Sequence, residues 1–372
     1  MGKGKFRKMF PGGNTAYGFF SYYDHIIEPD ATRIFVIKGG PGVGKSNFMR
    51  KIGEDMIGLG YDLEFMCCSS DNGSLDGLVI PAVRVALIDG TAPHVVDPKN
   101  PGVVDEIIHL GDFWDEKKLR ACKKEVLEAN DRVGRLFRIA YSQLREAKVI
   151  REELEGYVAE SMNFAGVNHL LRETAAAIFK GDPVQHERFP RTRRLFCSAI
   201  SPDGVVHHLE TLLQDTKHLF IIRGAPGSGR STFLARLAET AGIRGLDTEV
   251  FHCALEPREI DFLLIPALKT AVLKEVAELR FTPPEGMEIH TVNLESLSDP
   301  RVQASYAAEI AYARRRFSEA LARGIQYIRE AKLTHDYMEG YYIPAMNFGA
   351  IEETRLKTLA RIRKYAEEVG GG

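Results

Sequence analysis

The sequence contains eight consecutive residues with the types and spacing of a phosphate-binding loop, Gly39-Gly40-Pro41-Gly42-Val43-Gly44-Lys45-Ser46. Glycines let a backbone curl around an anion with its N–H groups directed inward, in conformations that a Cβ atom would obstruct. Lys45 would bring a positive charge to the β- and γ-phosphates, and the Ser46 hydroxyl is of the type that ligates Mg²⁺. With Asn47 in the following turn, these residues predict a Mg²⁺-ATP site. We find no guanine-recognition element in the expected place, which favours adenine.

A carboxylate that could complete this site follows the apolar run Val85-Ala86-Leu87-Ile88. Asp89 would then lie at the carboxyl edge of the sheet, where it could hold Mg²⁺ directly or through water. The alternative is that Asp89 and Gly90 only form a turn. Asp71, after the preceding predicted strand, is a rival acid. It could be a general base or a metal contact, or it could cap the turn Asp71-Asn72-Gly73.

The loop belongs to a segment that occurs twice. Ile34–Phe48 (IFVIKGGPGVGKSNF) recurs 185 positions later as Leu219–Phe233 (LFIIRGAPGSGRSTF). The match continues at an offset of 184 into the last helical segment, where Met162-Asn163-Phe164 meets Met346-Asn347-Phe348. Similarity between unrelated phosphate loops would stop at the loop, so we infer a tandem duplication. Asp76, repeated in the second copy, is predicted to cap a helix.

The second copy differs from the first at the positions of the predicted catalytic residues. Arg230 replaces the loop lysine, which keeps the charge but changes its geometry, and Lys274 falls opposite Asp89. The remaining candidate phosphate contacts of this copy are Gly224, Gly227, Gly229, Ser231 and Thr232. We therefore expect a degenerate half with a regulatory or structural role, whether or not it binds nucleotide.

Hydrophobic patterning predicts the elements that position these residues. An apolar run at Arg33–Lys38 predicts a buried strand before the loop, and a helix should follow from about Ser46. Residues 116–161 have a long, charged helical pattern. Strands alternating with helices predict an α/β fold of two P-loop domains, each a mostly parallel sheet flanked by helices with a long helical region near its C-terminal end. The predicted domains are 1–180 and 194–372, joined by a polar linker at 181–193.

Length and charge exclude several classes of protein. A chain of 372 residues is long enough for two domains. Its net charge of −2 gives no signal for nucleic-acid binding, and no apolar run is long enough for a membrane span. Five cysteines without CxxC spacing indicate reduced thiols, so a cytoplasmic location is expected.

Three segments of the first half together resemble an uncharacterised bacterial family of tandem P-loop ATPases. They are GGPGVGKSNFMRKIGEDM, CCSSDNGSLDGLVIPAV and ALIDGTAPHVVDPKNPGVVDEIIHLGDFWDE. The resemblance covers essentially the whole chain and implies an α/β P-loop fold with ATP binding at Gly39–Ser46. It implies no particular substrate, because the family comprises predicted ATPases or nucleotide kinases. Arg230 departs from the usual lysine, which places ATP turnover in the second half in question.

Three functions remain open at this point. The first is an ATPase that turns over in the first copy and drives movement between the halves. The second is a small-molecule or nucleotide kinase in which Asp71 activates a substrate hydroxyl under a helical lid. The third is a nucleotide-sensing scaffold that binds a protein partner through its long helices. Gly90 stands where a water-activating glutamate would favour hydrolysis, which points to slow hydrolysis, a kinase reaction or a group supplied from elsewhere.

Overall fold

The computed structural model describes residues 2–92, 95–181 and 188–370, and it shows an α/β protein of two similar halves. The described strands of the first half are β1 (Phe6–Met9), β2 (Gly12–Thr15), β3 (Gly18–Ser21), β4 (Arg33–Lys38), β5 (Leu63–Cys67), β6 (Leu75–Ile80), β7 (Val85–Asp89) and β8 (Asp105–His109). Those of the second half are β9 (Thr192–Phe196), β10 (Ser198–Ser201), β11 (Gly204–His207), β12 (His218–Arg223), β13 (Thr248–His252), β14 (Ile260–Ile265), β15 (Thr270–Lys274) and β16 (Glu288–Asn293).

The described helices follow the same repeat. They are α1 (Lys45–Gly58), α2 (Glu116–Ala121), α3 (Lys123–Glu160), α4 (Phe164–Ile178), α5 (Leu209–Leu212), α6 (Arg230–Ile243), α7 (Pro300–Ser305), α8 (Ala307–Tyr342) and α9 (Phe348–Gly370). The long helical region predicted after residue 116 is therefore confirmed as α2 and α3. None of the described helices is both long and apolar enough to cross a membrane.

Each half contains a mixed sheet with the same strand order. The first sheet runs β1-β5-β6-β7-β4-β8, and the second repeats it as β9-β13-β14-β15-β12-β16. β6 is antiparallel to both its neighbours, β5 and β7, and β14 is antiparallel to β13 and β15. The other pairings within these sheets are parallel. Strand β6 was not predicted from the sequence, because Asp76 and Gly77 interrupt its apolar run. The prediction that Asp76 caps a helix is wrong, since Asp76 lies within this strand.

The last helix of each half packs on the sheet of the other half. Ile351 and Ile362 of α9 share a core cluster with Phe35 of β4. Val167 of α4 shares a core cluster with Phe220 of β12. This packing crosses the sequence boundaries at 1–180 and 194–372. The predicted linker at 181–193 lies partly outside the described residues, at 182–187, and its last residues already belong to β9.

The two long helices, α3 and α8, pack against each other. Small residues permit the close approach, since a Cβ atom on Gly324 of α8 would lie 2.7 Å from a methyl carbon of Leu144 of α3. Ala140 and Ala320 are also fully buried in this core cluster. Because α4 and α9 pack on the sheet of the other half and α3 packs on α8, the end of each long helix lies at the phosphate loop of the other half.

The edges of the two sheets meet at β1 and β9. The backbone N–H of Phe10 donates to the carbonyl of Phe196, and the N–H of Phe196 donates to the carbonyl of Phe10, each at 2.9 Å. This reciprocal pair gives the junction an approximate twofold symmetry.

Four charged side chains form an ion cluster at the same junction. Arg193 lies 2.6 Å from Glu64 and 3.5 Å from Glu249. Arg7 lies 3.3 Å from Glu64 and also contacts Glu249. Each arginine therefore pairs with an acid from both halves. Burial opposes charging of Glu249, but Arg7 and Arg193 together outweigh it and lower the pKa of this carboxyl.

Candidate functional site

The predicted phosphate contacts lie in two equivalent loops. In the first half Gly39, Gly40, Pro41, Gly42, Val43 and Gly44 connect β4 to α1, and Lys45, Ser46 and Asn47 begin α1. In the second half Gly224, Gly227 and Gly229 lie between β12 and α6, and Arg230, Ser231 and Thr232 begin α6. Gly44 (φ +86°) and Gly229 (φ +92°) precede the helices in the left-handed conformation that favours glycine. Each loop thus connects the carboxyl end of a strand, β4 or β12, to the N-terminus of a helix, where backbone N–H groups can bind an anion.

Lys45 folds back over the first loop. Its Nζ atom donates to the carbonyl oxygens of Gly39 at 2.9 Å and Gly40 at 3.0 Å. The same atom lies 3.7 Å from Oδ2 of Asp89. The lysine and the predicted Mg²⁺ acid are therefore neighbours, although they are 44 positions apart in the chain.

Asp89 ends β7 beside the loop. Its Oδ1 atom accepts a hydrogen bond from the N–H of Thr91 at 2.9 Å, and the Thr91 hydroxyl donates to Gly39 at 3.0 Å. Burial raises the pKa of the Asp89 carboxyl, while the charge of Lys45 opposes that rise. The Oγ atom of Ser46 accepts from the N–H of Leu75 at 3.0 Å, which fixes the hydroxyl beside β6.

Asp76 is a site residue that the sequence analysis misassigned. It is only 3% exposed in β6, the strand next to β7. Burial raises the pKa of Asp76 to about 6, against hydrogen bonds from Cys68 and Tyr23 and the charge of Lys45. The charge of Asp76 in turn raises the pKa of Asp89. Its repetition in the second half was the available signal, and only the strand register shows that it faces the same site.

Asp71 lies in the turn that one interpretation of the sequence assigned to it. Its Oδ1 atom accepts from the N–H of Gly73 at 3.0 Å, and its Oδ2 atom accepts from the Ser74 hydroxyl at 2.8 Å. Lys332 of α8 approaches it to 3.4 Å. Asp71 therefore caps its own turn and forms an ion pair with a lysine of the second half.

Helix α8 and the segment after it cover the first phosphate loop, which the sequence did not predict. The N–H of Gly42 donates to Oε1 of Glu339 at 3.0 Å. A Cβ atom added to Gly40 would lie 3.0 Å from the Tyr342 ring and 3.6 Å from the ring of Trp114. A carboxylate and two aromatic rings therefore contact the loop that is expected to bind phosphate.

The second loop has different chemistry. Lys274 ends β15 as Asp89 ends β7, since Ile222 pairs with Lys274 where Ile37 pairs with Asp89. The Lys274 Nζ atom lies 3.2 Å from the Ser231 hydroxyl oxygen. A lysine ammonium thus occupies the neighbourhood where the first half has its candidate Mg²⁺ acid.

Arg230, the replacement for the loop lysine, is 7% exposed. Its guanidinium donates to the backbone carbonyl of Glu275, so it points back into the half that carries it. Burial lowers the pKa of Arg230, and the nearby acids Asp261 and Glu259 oppose the shift. Arg230 keeps a positive charge under the second loop with a geometry unlike that of Lys45.

No family model, curated protein or solved structure matches this chain in comparisons with known proteins.

Proposed function

We propose that this chain binds Mg²⁺-ATP at the first phosphate loop and hydrolyses it there, while the second loop does not turn over. The observation that carries the proposal is the convergence of Lys45, Asp89 and Asp76 at the N-terminus of α1. Lys45 approaches Asp89 to 3.7 Å, and burial raises the pKa of both carboxyls. In this neighbourhood of the second half, Asp261 keeps a carboxylate but Lys274 replaces the acid that ends the strand.

The residues of the first site fit a divalent cation. The buried Asp76 and the partly buried Asp89 place two carboxylates beside one ammonium, which leaves negative charge that a cation would neutralise. Ser46 supplies a hydroxyl of the type that ligates Mg²⁺. Ser46, Asp89 and Asp76 would hold the ion, directly or through water. When bound, Mg²⁺ would neutralise charge on the phosphoryl oxygens of the nucleotide.

The chain itself would perform three tasks. Loop N–H groups, including that of Gly42, would bind the phosphates, and Lys45 would move from the carbonyls of Gly39 and Gly40 to the β- and γ-phosphates. Tyr342 and Trp114 would limit the access of water. Gly90 follows Asp89 in place of an acid that could activate water, so we expect slow turnover.

The phosphotransferase alternative has less support. It requires Asp71 to accept a proton from a substrate hydroxyl. Both Asp71 carboxylate oxygens accept hydrogen bonds within its own turn, and Lys332 lies 3.4 Å away. A base committed in this way would have to break the turn to act.

Calorimetric titration with a non-hydrolysable ATP analogue tests the binding step. We expect a Mg²⁺-dependent binding event that Lys45→Ala removes. Lys51→Ala is the matched control, because Lys51 lies nearly two turns further along α1, is exposed and pairs only with Glu352 among its described ionic contacts. Absence of Mg²⁺-dependent binding, or equal losses in both variants, would overturn the proposal.

A further inference from the structure

A large cavity lies beside the second phosphate loop. Its volume is about 830 Å³, within the range of small-molecule sites. It is lined by Gly224, Gly227 and Gly229 of the loop, by the end of α3, and by Phe317 and Leu321 of α8. The cavity therefore combines a helix N-terminus with walls supplied by both long helices.

Smaller side chains explain why this loop has open space beside it. Ala159 lines the cavity, and at the 184 offset it corresponds to Ile343 in the first half. A Cβ atom on Gly42 of the first loop would lie 3.1 Å from Ile343. Val158 likewise corresponds to Tyr342, whose ring lies against Gly40. The second loop thus has smaller residues at the positions where Tyr342 and Ile343 contact the first loop.

The glutamate on the covering helix also makes different contacts at the two loops. Glu339 accepts from the N–H of Gly42 in the first loop. Its counterpart Glu155 instead pairs with Nε of Arg151 at 3.1 Å. At the second loop the Glu155 carboxylate is thereby held by an arginine of its own helix, α3. The contact of Glu155 with the loop is made by its backbone beside Gly227.

A lysine ammonium lies beside the second loop, among two carboxylates and a hydroxyl. The Lys274 Nζ atom lies 2.5 Å from Asp261, 3.1 Å from Glu259 and 3.2 Å from the Ser231 hydroxyl oxygen. Three acceptors match the three N–H donors of an ammonium. Burial opposes the charged form, but Asp261 and the other nearby anions outweigh it, so the pKa of Lys274 is raised. A divalent cation could enter only by displacing this charge.

We propose that the second loop binds the phosphate end of an organic phosphate without a divalent cation, and that the apolar part of the ligand occupies the adjacent cavity. The loop N–H groups and Arg230 supply the anion site, and Lys274 replaces the metal. Leu154, Phe164, Leu255, Phe317 and Leu321 supply the apolar wall. This site is independent of Mg²⁺-ATP binding at the first loop.

The test is calorimetric titration of the full chain carrying Lys45→Ala, with ADP as the probe and EDTA present throughout. We expect one binding event whose Kd changes less than about threefold when excess Mg²⁺ replaces EDTA. Inorganic pyrophosphate, which lacks the apolar part, should bind at least tenfold more weakly than ADP. Equal binding of pyrophosphate and ADP, or loss of ADP binding in EDTA, would overturn the proposal.

Two added substitutions locate the binding event. Ala159→Trp fills the cavity without changing a charge, and Arg230→Ala removes the loop cation; each should weaken ADP binding at least tenfold in EDTA. Ala165→Trp, at an exposed position outside the cavity lining, is the control for the first. If ADP binding survives both site substitutions, the assignment to this cavity is wrong.

Lys274→Asp should make ADP binding dependent on Mg²⁺ rather than abolish it. It restores the acid of the first half, so ADP binding should disappear in EDTA and return with Mg²⁺. Thermal unfolding by circular dichroism establishes whether this variant folds; if it does not, Ala159→Trp and Arg230→Ala still decide the outcome. Retained ADP binding by folded Lys274→Asp in EDTA would show that the ammonium does not replace a metal.

Discussion

The carboxylate of Glu339 accepts a hydrogen bond from the backbone N–H of Gly42 at 3.0 Å. Glu339 belongs to α8 of the second half, whereas Gly42 lies in the phosphate loop of the first half. An anionic oxygen thus uses a donor that a phosphate oxygen would also use. Nucleotide binding at the first loop and the position of α8 should therefore be coupled.

Removing this negative charge should tighten nucleotide binding. Glu339→Gln keeps the shape of the side chain but no longer places a carboxylate beside the phosphates. We expect the Kd of a Mg²⁺-bound ATP analogue to fall by about three- to tenfold, equivalent to roughly 1 kcal/mol. Calorimetric titration measures the change.

The matched control is Glu319→Gln, an exposed glutamate on the same helix. It should leave the Kd unchanged. If the two variants bind equally, the Glu339 contact does not compete with nucleotide.

Trp114 should report binding at the first loop. It is the only tryptophan in the chain, and its ring lies against Gly40. Addition of a Mg²⁺-bound ATP analogue should change its emission, because ligand and ring share the loop surface. The change should disappear in Lys45→Ala and persist in Arg230→Ala. A fluorescence change with the opposite dependence would place the responding site in the second half.

Asp76 should make folding stability depend on pH. Its pKa is raised from 3.8 to about 6 in the folded protein, so its stabilising contribution is complete below about pH 4 and is lost as the pH rises through 6. Asp76→Asn should therefore raise the free energy of unfolding at pH 8 by about 3 kcal/mol in the absence of Mg²⁺. The difference should vanish below pH 4.

Urea unfolding at the two pH values measures this effect. Asp24→Asn is the control, because Asp24 is exposed and pairs with the exposed Lys99. A variant that is less stable than the parent at pH 8 would show that the Asp76 carboxylate is stabilised in the fold.

The ion cluster between the sheets should contribute to the association of the halves. Arg193→Met leaves Glu64 and Glu249 with Arg7 as their remaining partner in the cluster. We expect a loss of about 3 kcal/mol in the free energy of unfolding, because two largely buried carboxylates would then share a single arginine. Lys5→Met, which breaks the exposed pair with Asp215, should have no measurable effect on urea unfolding. Equal losses of stability in Arg193→Met and Lys5→Met would show that the ion cluster stabilises the fold no more than an exposed ion pair does.

The repeated architecture could be predicted from the sequence because the duplication extends beyond the loop. Strand β4, helix α1 and the long helices follow the expected apolar patterns. Strand β6 could not be identified in the same way, since Asp76 and Gly77 break its short apolar run. The antiparallel strand of the first sheet was missed for that reason.

The contacts between the halves lay beyond local patterns. Glu339 reaches Gly42 across nearly 300 residues of chain, and only the packing of α3 on α8 determines that approach. The packing of α4 and α9 on the sheet of the other half likewise depends on apolar contacts between residues far apart in the chain. Lys274 was recognised as the counterpart of Asp89, but its contact with Ser231 required the folded chain.

The rate of phosphate release from Mg²⁺-ATP, measured for the full chain and two variants, tests whether the first loop alone hydrolyses ATP. Turnover at the first loop predicts slow release that Lys45→Ala abolishes and that Arg230→Ala leaves within about threefold of the parent rate. Equal losses in the two variants, or release that survives Lys45→Ala, would contradict the account.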